Sequence, residues 1–214
     1  MKNEKATFLV DFQKMKEKKQ SDAENTLLDL YESLFQYIEK EANLREKVRA
    51  KHIFAHKVGI PKGEPMASDI HMHFEHWFAF DYITVVGSRM FDLFIRDKKE
   101  TMSKKMLELS SFLLLMTFEP VRLQETEKNY VNYKSIITKE NKQATPFIFP
   151  IEGKYDDIVL IRTVQTGFKQ MMIGPTIPLN DHGAALITKK LENHQNSVIH
   201  KRKYLKEYGI DYLR

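Results

Sequence analysis

The chain has 214 residues, 34 Lys+Arg against 29 Asp+Glu for a formal charge of +5, and no cysteine. Without cysteine there is no disulfide framework, thiolate nucleophile or Cys-based zinc site. No apolar run approaches the ~18–20 residues of a membrane span, the opening residues lack the apolar core of a secretory signal, and 42% hydrophobic content excludes wholesale disorder.

The N-terminal part reads as helix. Phe8, Leu9, Phe12 and Met15 give short apolar spacing around the basic run Lys14 to Lys19. Ser21 and Glu24 fit a capping box that opens a clearer helix. Leu27, Leu30, Tyr31, Leu34, Ile38, Leu44 and Val48 then recur at helical spacing. No Gly or Pro occurs from Ser21 to Val58, so one long helix or two continuous pieces are expected, ending at Gly59-Ile60-Pro61.

Ser68 is the next expected cap, followed by an apolar stripe of Ile70, Phe74, Trp77 and Phe78. The stretch from Thr84 to Ile95 mixes a turn with a short helix. Ser103 opens a Leu- and Met-rich helix that ends before Pro120. Its apolar residues nearly encircle it from Leu107 to Met116, which predicts burial on most sides. Beyond it the helical period fades into alternation. Tyr130 to Ile137, Pro146 to Phe149, Ile158 to Val164 and Phe168 to Ile173 read as strands, with Gly153, Gly167 and Gly174 at turns. Asn180 caps a last helix that includes the polar His194-Gln195-Asn196.

The fold class is therefore α+β: a helical part over 1–117, a small antiparallel β sheet or barrel over 118–179, and a C-terminal helix packing back over 180–214.

The segment Phe74-Glu75-His76-Trp77-Phe78-Ala79-Phe80-Asp81-Tyr82 resembles the Trp-aromatic-x-aromatic-Asp motif of a bacterial family of uncharacterised proteins. Some members carry a C-terminal SEC-C metal-binding motif. In that family helices follow the aromatic motif, then a compact β module with a strand like Ile158-Val159-Leu160-Ile161-Arg162. The likeness spans Phe74 to Leu179. It departs at His76, where an acidic residue is usual, and the cysteines of the SEC-C motif are absent. The resemblance implies the architecture and transfers no activity.

Chemistry is densest at Asp69-Ile70-His71-Met72-His73-Phe74-Glu75-His76, which holds three of the eight histidines. The letters mimic the H-x-H-x-D-H of metallo-β-lactamase-like hydrolases, but here they follow a Gly/Pro loop, not an apolar strand. On a helix, Asp69, His73 and His76 share a face, as do His52 and His56 on the preceding helix. If the two helices pack antiparallel, these side chains could hold zinc or another divalent ion, with Glu75 as general base. Asp81, set among aromatics, needs a partner, and Arg89 is the expected one. No Gly-x-Ser-x-Gly, phosphate-loop or dinucleotide motif occurs.

Lys16, Lys18 and Lys19 near one end and Lys201, Arg202 and Lys203 near the other form two basic runs suited to phosphate contacts. Each is thinly backed: 12 Lys+Arg face 10 Asp+Glu over 1–58, and 7 face 4 over 180–214.

Three functions follow as expectations. The first is a bacterial, cytoplasmic, non-catalytic interaction or adaptor module, whose contact surfaces are the β module and an aromatic-flanked cleft, whose partner is another protein and which needs no cofactor. The second is a divalent-metal-dependent hydrolase built on the histidines. The third is a weak, non-specific nucleic-acid binder using the basic runs.

Overall fold

The computed structural model describes residues 2–127, 129–193 and 197–213. Five helices come first: α1 (Lys2–Glu41), α2 (Leu44–Val58), α3 (Ser68–Phe80), α4 (Met90–Lys98) and α5 (Lys104–Leu114). Six strands follow: β1 (Phe118–Thr126), β2 (Val131–Ser135), β3 (Asn141–Pro146), β4 (Ile158–Thr166), β5 (Lys169–Met172) and β6 (Ile177–Pro178). Helices α6 (Asp181–Asn193) and α7 (Val198–Tyr208) and a 3-10 turn, Gly209–Tyr212, complete the chain. The α+β class expected from the sequence is the class found.

Ser21 opens no helix, because α1 runs straight through it for 40 residues. Its first half is rich in Lys, Glu and Gln, which lose little side-chain freedom in a helix. Phe12 and Met15 are exposed there, and Phe8 and Leu9 lie outside the side chains described. The break comes instead at Ala42-Asn43, where the Asn43 side chain accepts a hydrogen bond from Arg45 N at 2.8 Å. Asn43 is thus the cap of α2. Ser68 is the first residue of α3 rather than its cap, a place taken by Ala67 without a side-chain bond. Ser103 does cap α5, accepting from Met106 N.

The strands close into a barrel, of which β1 and nearly all of β3 lie outside the segments expected as strand. β1, β2 and β3 form an antiparallel meander; β4 returns beside β1, and β5 pairs β4 antiparallel and β3 parallel. Three consecutive strands with a fourth beside the first make a Greek key, and closure removes the free edges that invite aggregation. Pro146 ends β3, so Phe147 to Phe149 are not strand. The single expected C-terminal helix is two, α6 and α7, and His194-Gln195-Asn196 between them lies outside the described residues.

Strand alternation divides the packing. Val159 and Ile161 of β4 point into the barrel with Val121, Leu123, Val131, Tyr133, Ala144 and Met172. Leu160 and Val164 point outward into a larger cluster that holds Leu27, Leu30 and Leu34 of α1, Phe54 of α2, Trp77 of α3 and Leu205 of α7. One face of the barrel thus shares a core with the helices.

Candidate functional site

Helix α3 carries the histidine cluster, and its period of about 3.6 residues separates the expected ligands. Phe74 and Trp77 face α2, where both rings meet Phe54. His76 faces α1 instead, packed against Tyr31 and Phe35. His52 and His56 stay exposed on α2, Asp69 is exposed at the start of α3, and His73 and His76 are buried. The structure does not bring the four imidazoles together. Among the described residues no group of three His, Asp or Glu side chains could hold a metal ion. Glu75 lies on the solvent side, 3.5 Å from His71 Nδ1.

The buried histidines have a different role. The Met72 carbonyl, 2.8 Å from His76 Nδ1, can only accept, so Nδ1 carries the proton. Nε2 is then an acceptor, and the Tyr31 hydroxyl donates to it. Burial holds this imidazole neutral and pushes its pKa down to about 3, with the nearby Arg162 charge acting the same way. Burial also raises the Tyr31 phenol well above its ordinary range. His73 is pushed down to about 4, again first by burial, and its Nδ1 has no hydrogen-bond partner. Gly174 packs on the His76 ring: at φ +74° a Cβ there would sit 2.5 Å from His76 Cδ2. Only glycine suits that approach.

Asp81, at the end of α3, has Arg162 of β4 as its partner and not Arg89. The Arg162 Nη2 to Asp81 Oδ2 distance is 2.5 Å, and both side chains are 1% exposed. The guanidinium also stacks on Phe118, 3.4 Å from the ring centroid. Asp81 Oδ1 and Arg162 Nε have no partner. Arg89 instead forks onto Asp92, 2.7 Å away, and donates to the Leu114 carbonyl.

Asp81 also lines the largest described cavity, a cleft of about 860 Å³ between α2, the end of α3, the end of α5 and α7. Its apolar lining includes Trp77, Leu115 and Ile199. Leu115 is 74% and Ile199 77% exposed. Burial of α5 on most sides, expected from its composition, is therefore corrected: Leu107, Phe112 and Leu115 face outward, and Leu115 forms a lip of the cleft. The rim of the cleft also carries cations. Arg202 and Lys203 are exposed, and among the described residues neither has a carboxylate within ion-pair distance.

Lys206 lies deeper. Its Nζ donates to the carbonyls of Met116 at 3.1 Å and Leu114 at 3.5 Å, where α5 ends, and so satisfies acceptors the helix leaves open. Burial, with Arg89 nearby, pushes its pKa down to about 8.

Of the residues expected to meet phosphate, the structure sets Arg202 and Lys203 at the cleft. Lys201 is half-buried beside them. Lys16, Lys18 and Lys19 are exposed on α1, with Lys16 over the Phe168 ring at 5.5 Å. The cleft holds Trp77 and Tyr82 of the aromatic motif, as an aromatic-flanked cleft requires, but its α7 wall was not expected. One signal for it was present: Ile199, Arg202, Lys203 and Lys206 stand at i, i+3, i+4 and i+7, a single helical stripe.

No helix of the described residues is long and apolar enough to cross a membrane. The chain matches no protein-family model, no curated protein and no solved structure.

Proposed function

We propose that this protein is a non-catalytic interaction module of the bacterial cytoplasm, whose cleft receives an acidic, apolar-anchored segment of a partner protein. One observation carries the reading: exposed apolar side chains, Leu115 and Ile199, share the mouth of an 860 Å³ cleft with Arg202 and Lys203, which among the described residues lack carboxylate partners. Burying each apolar side chain contributes about 1.5–3 kcal/mol. The cations select an acidic partner and speed its arrival more than they tighten it. The aromatic motif of α3 is read as kinship with the bacterial family it resembles, and adds no activity.

Fluorescence anisotropy with synthetic peptides that combine Asp/Glu with Leu or Phe tests this. Wild type binds, and salt weakens the binding as it screens the rim charges. The double variant Arg202→Glu/Lys203→Glu, far from the buried core, binds about tenfold more weakly or worse. Equal binding by the charge-reversed protein overturns the reading. So does a single-stranded oligonucleotide that binds more tightly than every peptide, which would favour nucleic acid instead.

A further inference from the structure

The charge that the cleft lacks is present elsewhere on the same chain. Over residues 198–206, α7 carries four Lys and Arg and no carboxylate, and Arg202, Lys203 and Lys206 line the cleft. Over residues 21–39, α1 carries five carboxylates and no Lys or Arg. Two of the five are used within the chain: Asp22 lies 3.5 Å from Lys105, and Glu24 lies 3.2 Å from Lys169. Asp29, Glu32 and Glu39 are exposed, and among the described residues none has a cation within ion-pair distance. Leu28, beside Asp29, is 39% exposed. The molecule thus presents an acidic helix face with an apolar side chain and a cationic cleft with apolar lips.

The two surfaces also match in spacing. Leu28 and Glu32 stand about one helical turn apart, apolar before acidic. Ile199 and Lys203 stand one turn apart on α7, apolar before cationic. Two helices laid parallel with Leu28 against Ile199 therefore set Glu32 against Lys203 and leave Asp29 within reach of the long Arg202 side chain. The turn Tyr155-Asp156-Asp157 also sets an exposed ring beside carboxylates, but these are engaged. Asp156 pairs with Arg122 at 3.1 Å, and Asp157 accepts from Lys154 N at 2.7 Å. The face of α1 cannot enter the cleft of its own chain, because Leu27, Leu30 and Leu34 hold the opposite face of the helix in the core. We infer that the cleft receives the acidic face of α1, residues 28–39, from a second copy of this chain. Both surfaces lie on helices that are already folded, so docking orders little. Because the surfaces differ, each copy gives one and receives on the other, a heterologous contact.

This inference rests on the acidic-segment reading and names its partner. Sedimentation velocity on the full chain tests it. The mean mass of wild type rises with concentration up to about 0.5 mM, and added salt lowers it. Glu32→Lys and Lys203→Glu, both at exposed positions, each weaken association about tenfold or more, with folding checked by circular dichroism. Carried together on one chain, the two changes set opposite charges across the contact again, and association returns. If wild type stays a monomer at about 0.5 mM while acidic peptides bind its cleft, the second-copy inference falls and the acidic-segment reading stands. If neither copies nor peptides bind, both fall. Association that either single variant keeps, or that the double variant fails to recover, overturns this pairing of surfaces.

Discussion

The inside of the barrel and the seam where the barrel meets the helices are both dry, yet they are built from opposite materials. The inside is mainly aliphatic: Val121, Leu123, Val131, Ala144, Val159, Ile161 and Met172 pack there with Tyr133, and buried Ser135 shares its face of β2. The seam holds Tyr31, His73, His76, Asp81 and Arg162 among aromatic rings. Two neighbours on β4 mark the boundary, Ile161 pointing in and Arg162 pointing out. Aliphatic packing is non-directional and closes the barrel wherever volumes match. A hydrogen-bonded ion pair and an oriented imidazole are satisfied in one arrangement only. The polar seam therefore fixes how the barrel sits on the helices, and it does so at a cost in stability that the barrel interior escapes.

Acid should break the seam first, and this is the largest effect expected. In the folded chain His73 and His76 take up protons only near pH 4 and 3. Unfolded, they do so near pH 6.5. Both folded values are depressed, so the unfolded chain binds more protons between these limits. Stability is then full above pH 6.5 and drains away as pH falls. By pH 4.5 the loss is roughly 2–3 kcal/mol per histidine, or about 5 together. That is a large share of the ~5–15 kcal/mol that holds a domain folded. Urea midpoints at pH 7.5 and 4.5, compared between wild type and a histidine variant, single out the histidine share. His73→Leu should remove about half of the slope. A slope untouched by that change would mean the seam is not where the protons bind.

The ion pair gives the next effect. Arg162→Met leaves Asp81 buried and unpaired, at a cost of about 3–5 kcal/mol. Adding Asp81→Leu to that variant should restore part of the loss, because no charge then remains in the dry seam. One residue earlier, Ile161→Val removes a single methylene from the barrel and costs about 0.5–1.5 kcal/mol. Chemical denaturation of the four proteins makes the comparison. An Arg162→Met cost no larger than that of Ile161→Val would erase the distinction between the two regions.

The sequence displayed the barrel better than the seam. Alternation and glycine spacing point to strands because a strand needs only a local period of two. The sorting of β4 into an inner and an outer face follows from the same period. The helix break at Asn43 was missed, although Asn43-Leu44-Arg45-Glu46 has the form of a cap followed three residues later by Glu. The partner of Asp81 was not legible. Arg89 is eight residues away in sequence and Arg162 eighty-one, and only the return of β4 beside β1 brings Arg162 to the end of α3. The histidines misled for a related reason. Spacing puts His73 and His76 on one face of α3, but what that face meets is set by the packing of α1, where Tyr31 waits instead of His52 and His56. The cleft is the least local feature of all, since α2, α3, α5 and α7 each supply part of its wall.

The smallest effect probes how the seam is held at its far end, where α1 grips the turn between β4 and β5. Gln20 is buried there. Its Nε2 donates to the Thr166 carbonyl at 3.2 Å, and its Oε1 accepts from Phe168 N at 2.7 Å. One side chain thus satisfies two backbone groups of a turn it meets only through the fold. Gln20→Ala removes both bonds and should cost about 1–2 kcal/mol. Gly167 lies between those two backbone groups at φ +60°, and a Cβ on it would come within 2.7 Å of Gln20 Oε1. Gly167→Ala therefore carries two penalties, one for the left-handed backbone and one for the clash. Only the second depends on Gln20. The double variant Gln20→Ala/Gly167→Ala should accordingly lose less stability than the sum of the single ones, by about 0.5 kcal/mol or more. Strict additivity in urea denaturation would show that the turn holds its shape through the barrel alone, and that the grip of α1 on it is incidental.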